Sequence, residues 1–373
     1  MQDGDDYLIF TPNDVDLARS PLRRSIGEET FVLGAFNPGL TRLPDGNLLL
    51  MVRVAEALVH PVEEDAVRAI RWTEEGYTLD RHRLENVDMG DPRFFTIKGG
   101  PFPQIGLTSL SWLLPVELDP QAREVRAVHY DRAVEPSSPL AMYGLEDPRI
   151  SHIEGRWYMT VCSASAERHA TMLYISDDAV NWRCQGLVLD HQNKDMLLFE
   201  GKVDGLFFAA TRPLGENYLA YPCDEPFAGG PSIQFAQSPD ALHWKPCDRP
   251  GIRARRGSSS AHKVGGGAPP IRTDKGWIFL YHGVEPAEAV GVYRTFWALL
   301  DAHEPARVLR LEDQLPLIEA SPDILDPIIE RAYMPTPVVF STGIIDAGDH
   351  YIVASGEGDL ACRITHIPKD RFA

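Results

Sequence analysis

Apolar residues along the chain fall in short runs rich in Val, Ile, Phe, Tyr and Trp, seldom at helical spacing, with Gly and Pro between them. One unit recurs: a turn containing Gly with an acidic or basic neighbour, then a short apolar strand ending in small or polar residues. It appears as Asp45-Gly46 before NLLLMVRV, Glu154-Gly155 before RWYMTVCSAS, Asp204-Gly205 before LFFAATRP, Lys275-Gly276 before WIFLYHGV, and Gly348-Asp349 before HYIVASGEGD. Gly155, Gly205, Gly276 and Gly348 are separated by 50, 71 and 72 residues, which suits roughly 40 to 50 residues per four-stranded blade plus loops. The pattern predicts an all-β chain, a five-bladed β-propeller forming one domain over residues 1–373. The 109 residues from Gly46 to Gly155 exceed one blade, so a long insertion is expected within about 56–140, a stretch holding DPRFF and GGPFPQIG.

A second repeat, S-x-D-x-x-x-W, occurs at Ser176–Trp182 and Ser238–Trp244; its Ser and Asp are expected to bond to the turn backbone. SPDILDPIIERA, residues 321–332, is the one short helical candidate. Composition narrows the partners. A net charge of -18 disfavours nucleic acid and anionic lipid, and an anionic substrate would need a local group of cations. Five scattered cysteines without a C-x-x-C pair suggest neither zinc nor a disulfide framework. The acidic N-terminus is unlike a signal peptide, and no apolar run nears the roughly 18 residues of a membrane helix. A cytoplasmic protein is expected.

In a propeller the strands nearest the axis deliver residues from distant parts of the chain to one mouth. The candidates are Asn37, Arg53 and Glu56 in the first hairpin; Glu146, Asp147 and Arg149 before the second; Glu200, Lys202 and Arg212 in the third; Lys263, Tyr281, His282 and Tyr293 in the fourth; and Glu357 and Asp359 in the fifth. Bland readings stand beside these. Asp147 before Pro148 could start a turn with Arg149 as its ion-pair partner, Lys263 could be a solvated charge, and HKVGGGAPP could be a plain glycine turn. That segment lacks the G-x-x-x-x-G-K-[ST] pattern of a nucleotide site.

FNPG followed by DGNLLLMVRV, GLEDPRI, HKVGGGAPPIRTDKGWIFLYHGV, GVYRTFWALLD and a closing GEGD resembles the β-mannoside phosphorylases of glycoside hydrolase family 130, in family order over roughly residues 31–362. The resemblance implies a five-bladed propeller. It also implies that Asp147 is the catalytic acid and that Arg212, Lys263, His282 and Tyr293 bind phosphate. Asp359, Asn37 and Arg53 would hold the mannosyl unit, with Glu146 and Arg149 beside them as substrate-binding residues. No metal or organic cofactor is implied; inorganic phosphate is a co-substrate, the other partner is a mannoside or manno-oligosaccharide, and a homo-oligomer is possible. Two departures leave the leaving-sugar subsite unassigned: Phe199-Glu200-Gly201-Lys202 where many members have FPEK, and Ala354–Asp359 where many have an aromatic pair before GAAD.

An inverting hydrolase needs an acid and a base carboxylate, whereas a phosphorylase needs an acid and cations that position an already anionic nucleophile. The group Arg212, Lys263, His282 and Tyr293 in so acidic a chain favours inverting phosphorolysis of a β-1,2- or β-1,4-mannoside to α-mannose 1-phosphate. The alternative is an inverting β-1,2-mannosidase of the same fold with Glu200 or Glu285 as base. A propeller that binds glycans without catalysis would have no use for the EDPR acid.

Overall fold

The computed structural model describes residues 5–91, 94–100, 104–214, 219, 222–287, 290–332 and 337–372. Five antiparallel sheets follow one plan, a path of four strands from an inner edge strand outward; in the fourth sheet a short fifth strand, Ile271–Thr273, follows the inner strand and pairs with the second, Gly276–Glu285. Their inner strands are Thr30–Arg42, Leu145–Ile153, Asn193–Leu198, Lys263–Gly266 and Val339–Asp346. In the fifth sheet the outermost place is taken by the N-terminal strand Asp6–Phe10, which pairs with Ala361–Pro368. The start and end of the chain are thus joined in one sheet. Arg363 anchors that seam, ion-pairing with Asp6 and, at 2.7 Å, with Glu357.

Each turn of the first repeat lies between the first and second strands of one sheet. At two of them both central residues have positive φ, Glu154 (52°) with Gly155 (80°) and Asp204 (50°) with Gly205 (82°). This geometry matches the right-handed twist of the flanking strands and favours Gly at the second position. The Ser and Asp of the second repeat bond as expected: Asp178 Oδ1 accepts from the backbone N–H of Asn181 at 2.7 Å, and Asp240 Oδ1 from that of His243 at 2.9 Å. SPDILDPIIERA forms a helical turn, Pro322–Leu325, that tightens into a 3-10 segment, Asp326–Arg331.

Two three-stranded sheets interrupt the first four-stranded sheet, one of Val62–Glu63, Ala66–Thr73 and Gly76–Arg83, the other of Val87–Asp91, Phe94–Ile97 and Gln104–Leu107. Residues 92–93 of DPRFF and 101–103 of GGPFPQIG lie outside the described residues. The core lies between neighbouring sheets, where clusters such as Leu197, Phe199, Phe235, Phe279 and Phe296 join strands of the third and fourth. Among the described residues no helix is long and apolar enough to cross a membrane.

Candidate active site

The inner strands are irregular where they matter chemically. Pairing slips between Phe36 and Gly39, between Glu146 and Arg149, and between Lys194 and Leu197. Within these bulges Asn37, Asp147 and Asp195 have φ of 47°, 49° and 56°. Asn and Asp tolerate the left-handed region better than other side-chain-bearing residues, and a bulge re-aims a side chain away from the regular alternation. Here it turns three polar groups into one cavity. Asp359, φ 53°, reaches the same cavity from the turn after His350–Glu357. Gly356 makes room for this meeting, because a Cβ there would fall 1.9 Å from Asn37 Oδ1.

The cavity has a volume of about 470 Å³ and is walled by inner-strand residues or their flanks from all five sheets. Asn37, Arg53, Asp147, Arg212, Lys263, His282, Tyr293 and Asp359 all line it. Asp147 Oδ1 accepts from Asn37 Nδ2 at 2.9 Å and Arg53 Nη1 at 2.8 Å. Arg53 also donates through Nη2 to Glu146 at 3.0 Å and through Nε to Ser111 at 3.0 Å. Glu146 takes a second cation, Lys194, at 2.9 Å. Although burial opposes its charge, Arg53 and Lys194 hold the Glu146 carboxyl far below the usual range. Glu146 itself faces a neighbouring cavity of about 230 Å³ that shares Arg53 and Asp359 with the first.

Arg149 lies behind the wall rather than on it. It donates to the Asp147 carbonyl at 2.8 Å, to the Gly267 carbonyl at 3.3 Å and to Asp195 Oδ1 at 3.1 Å, while its side chain is 1% exposed. Its carboxylate partner is therefore Asp195, not Asp147.

The same cavity is lined by further cations, Arg212 and Lys263. Arg212 Nε lies 2.8 Å from Asp195 Oδ2, a close ion pair whose N–H is not aligned on the oxygen. The Lys263 ammonium sits 5.1 Å over the Tyr293 ring. Burial, then the nearby Arg212 charge, brings its pKa down to about 8. The His282 ring stacks on Tyr293 at 5.6 Å and is fully enclosed, and neither ring nitrogen makes a hydrogen bond among the described residues. Burial and the cations around it push His282 well below the usual histidine value, so the ring is neutral at pH 7. Burial raises the Tyr293 hydroxyl to about 12, keeping it a donor.

Other sequence candidates lie elsewhere. Glu56 is enclosed by Ser20, Thr30 and Trp112, all donating to it. Tyr281 bonds the Glu312 carbonyl and Glu357 bonds Arg363. Lys202 pairs with Glu154 at 2.7 Å. Glu285 is an outer partner of Arg294 at 2.8 Å. Glu200 lines a separate cavity with Arg42, His152, Arg272 and Asp346, at the far ends of the inner strands. Lys194 and Asp195 also line the cavity, and neither is among the candidates that the sequence offers. Their one sequence signal is a charged pair opening an apolar strand, KDMLLF, as Glu146-Asp147 opens EDPRI.

The family model described as β-1,4-mannooligosaccharide phosphorylase matches residues 117–372. A β-1,2-mannobiose phosphorylase of Listeria innocua is 30% identical over 95% of this chain and 92% of its own length. The solved structure of a β-1,2-mannobiose phosphorylase from Listeria innocua with β-1,2-mannobiose superposes with a TM-score of 0.79 at 27% identity, covering 98% of both chains. A β-1,4-mannooligosaccharide phosphorylase of Ruminococcus albus is 28% identical over 43% of this chain and 45% of its own length. With the motifs in order and the family model matched over more than half its length, the chain belongs to glycoside hydrolase family 130.

Proposed function

We propose that the chain is an inverting β-mannoside phosphorylase built as a single five-bladed β-propeller, with phosphate and a β-1,2-mannoside as substrates. The observation that carries this reading is that one cavity is lined both by the Asp147 carboxyl and by Arg212, Lys263, His282 and Tyr293. Five sheets of one plan, a cavity walled from all five and a seam joining the two ends of the chain support the propeller. The 62–107 insertion contributes Leu107 to the cavity beside the acid, where a leaving sugar would lie.

In this reading Asn37, Arg53 and Asp359 hold the mannosyl unit between acid and cations. A phosphate oxygen bonds to the anomeric carbon from the cationic side while the glycosidic bond breaks on the other. Asp147 gives its proton to the departing oxygen, directly or through a sugar hydroxyl. The products are α-mannose 1-phosphate and the shortened sugar. Lys263 and Arg212 supply fixed charge to the incoming anion, and neutral His282 and the Tyr293 hydroxyl supply donors at no further electrostatic cost. The β-1,2 linkage is favoured because the relative bearing that name matches nearly the whole chain, whereas the β-1,4 relative matches under half.

Hydrolysis is the weaker reading, since neither Glu200 nor Glu285 lines the cavity that holds Asp147. Five free cysteines fit a reducing cytoplasm. The test is synthesis: α-mannose 1-phosphate with mannose, glucose or N-acetylglucosamine should release phosphate and form a disaccharide. No release with any acceptor, together with phosphate-independent cleavage of β-1,2-mannobiose, would replace this reading with hydrolysis.

A further inference from the structure

A carboxylate in the middle of an anion-binding pocket needs an explanation. Asp195 is 2% exposed, and its backbone is held at φ 56° in the bulge of the third inner strand. Oδ1 accepts from Arg149 at 3.1 Å. Oδ2 lies 2.8 Å from Arg212 Nε and 3.7 Å from His282 Nε2. By occupying the Nε edge of Arg212 it leaves the terminal nitrogens of that guanidinium for a ligand. Gly265 permits this approach, because a Cβ there would sit 2.4 Å from Asp195 Oδ2 and 2.4 Å from His282 Cε1. Nothing larger than hydrogen fits between the carboxylate and the histidine.

We infer that Asp195 is a positioning residue for phosphorolysis, braced from behind the wall by Arg149 and holding the Arg212 guanidinium in the arrangement that receives phosphate. The inference rests on the phosphorylase reading. An asparagine is the same size but has one acceptor oxygen where two arginines compete, and its amide N–H groups face a guanidinium. One arginine must then move. The arginine that moves is Arg212, because Arg149 keeps the Asp147 and Gly267 carbonyls, and the Asp147 carboxyl keeps Asn37 and Arg53 from other strands.

The test compares wild type with Asp195→Asn in phosphorolysis of β-1,2-mannobiose, varying each substrate in turn. The KM for phosphate should rise about tenfold or more, as expected for misplacing one charge-assisted contact, while the KM for the mannoside stays within about twofold. A pH profile gives a readout that a purely structural role would not move. Lys263 is faced by Lys194, Asp195, Arg212, His282, Tyr293 and Asp359, and among these Asp195 helps keep it charged. The basic limb of kcat/KM for phosphate should therefore move to lower pH in the variant. If Asp195→Asn does not fold, Asp195→Glu keeps both acceptor oxygens but on a longer arm that shifts Arg212, and should give the same phosphate-selective loss. Equal rises in both KM values, an unmoved basic limb, or tighter phosphate binding would overturn the inference. Absence of phosphate-dependent cleavage by the wild type would instead sink the phosphorylase reading.

Discussion

Lys263→Met separates the binding role of this lysine from its effect on stability, and the two should move in opposite directions. Its ammonium is half-buried with Arg212 and Lys194 nearby, and its pKa falls from the ordinary 10.5 to about 8. At about 1.36 kcal/mol per pKa step, carrying the charge in the folded protein at pH 7 costs about 3 kcal/mol. Solvent screening at a partly exposed site lowers this to about 1–2 kcal/mol. Between pH 8 and 10.5 the unfolded chain binds the proton and the folded one does not, so this cost is full below pH 8 and fades as pH rises. Methionine fills a similar volume without the charge. The variant should therefore unfold about 1–4 °C higher than wild type at pH 7 without phosphate, and the gap should close toward pH 10. Phosphate at about 100 times its Kd should stabilise the wild type by about 2.7 kcal/mol and the variant by much less. Thermal unfolding with and without phosphate, at pH 7 and pH 9.5, reads all four numbers. A variant that melts lower than wild type and is still protected equally by phosphate would refute the reasoning.

Three further outcomes follow from the geometry. Asp147→Asn keeps the acceptor for Arg53 and Asn37 but has no proton to give, so phosphorolysis of mannobiose should fall about 10²–10⁴-fold. An aryl mannoside with a good leaving group should lose far less in the same assay. Glu56→Ala orphans three buried donors and should lower stability by about 3 kcal/mol in chemical denaturation while leaving both KM values unchanged. Glu200, which burial raises from 4.5 to about 7, binds a proton in the folded chain that the unfolded chain releases. Its contribution to stability therefore falls as pH rises through that window; Glu200→Gln should flatten the melting temperature between pH 4.5 and 7 and leave phosphorolysis within about twofold of wild type.

The all-β class was legible in the sequence because strand and turn chemistry are local: Glu154-Gly155 and Asp204-Gly205 announce tight hairpins wherever they occur. The cavity residues were only partly legible. Asn37, Asp147 and Asp359 stand in motifs, and the resemblance named them. Lys194 and Asp195 stand in no motif, and what brings them to the cavity is a slip in strand pairing between Lys194 and Leu197. Alternation along a strand assigns faces only while the register is regular, and a single extra residue reverses every assignment beyond it. For the same reason Arg149 read as the partner of its near neighbour Asp147, although its partner Asp195 lies 46 residues away. Glu200 could not be told from a cavity residue because strand polarity relative to the two ends of the inner strands is a tertiary fact: it follows Asn193–Leu198 at the end opposite Asp195.

The most direct test of the central claim is to incubate the protein with β-1,2-mannobiose, with and without inorganic phosphate, and to follow the products by proton and phosphorus NMR from the first minutes. The expected result is no cleavage without phosphate, and with it equal amounts of mannose and a mannose 1-phosphate that is α from the outset. Free mannose as the sole product without phosphate, or a β-configured sugar phosphate, would contradict the account.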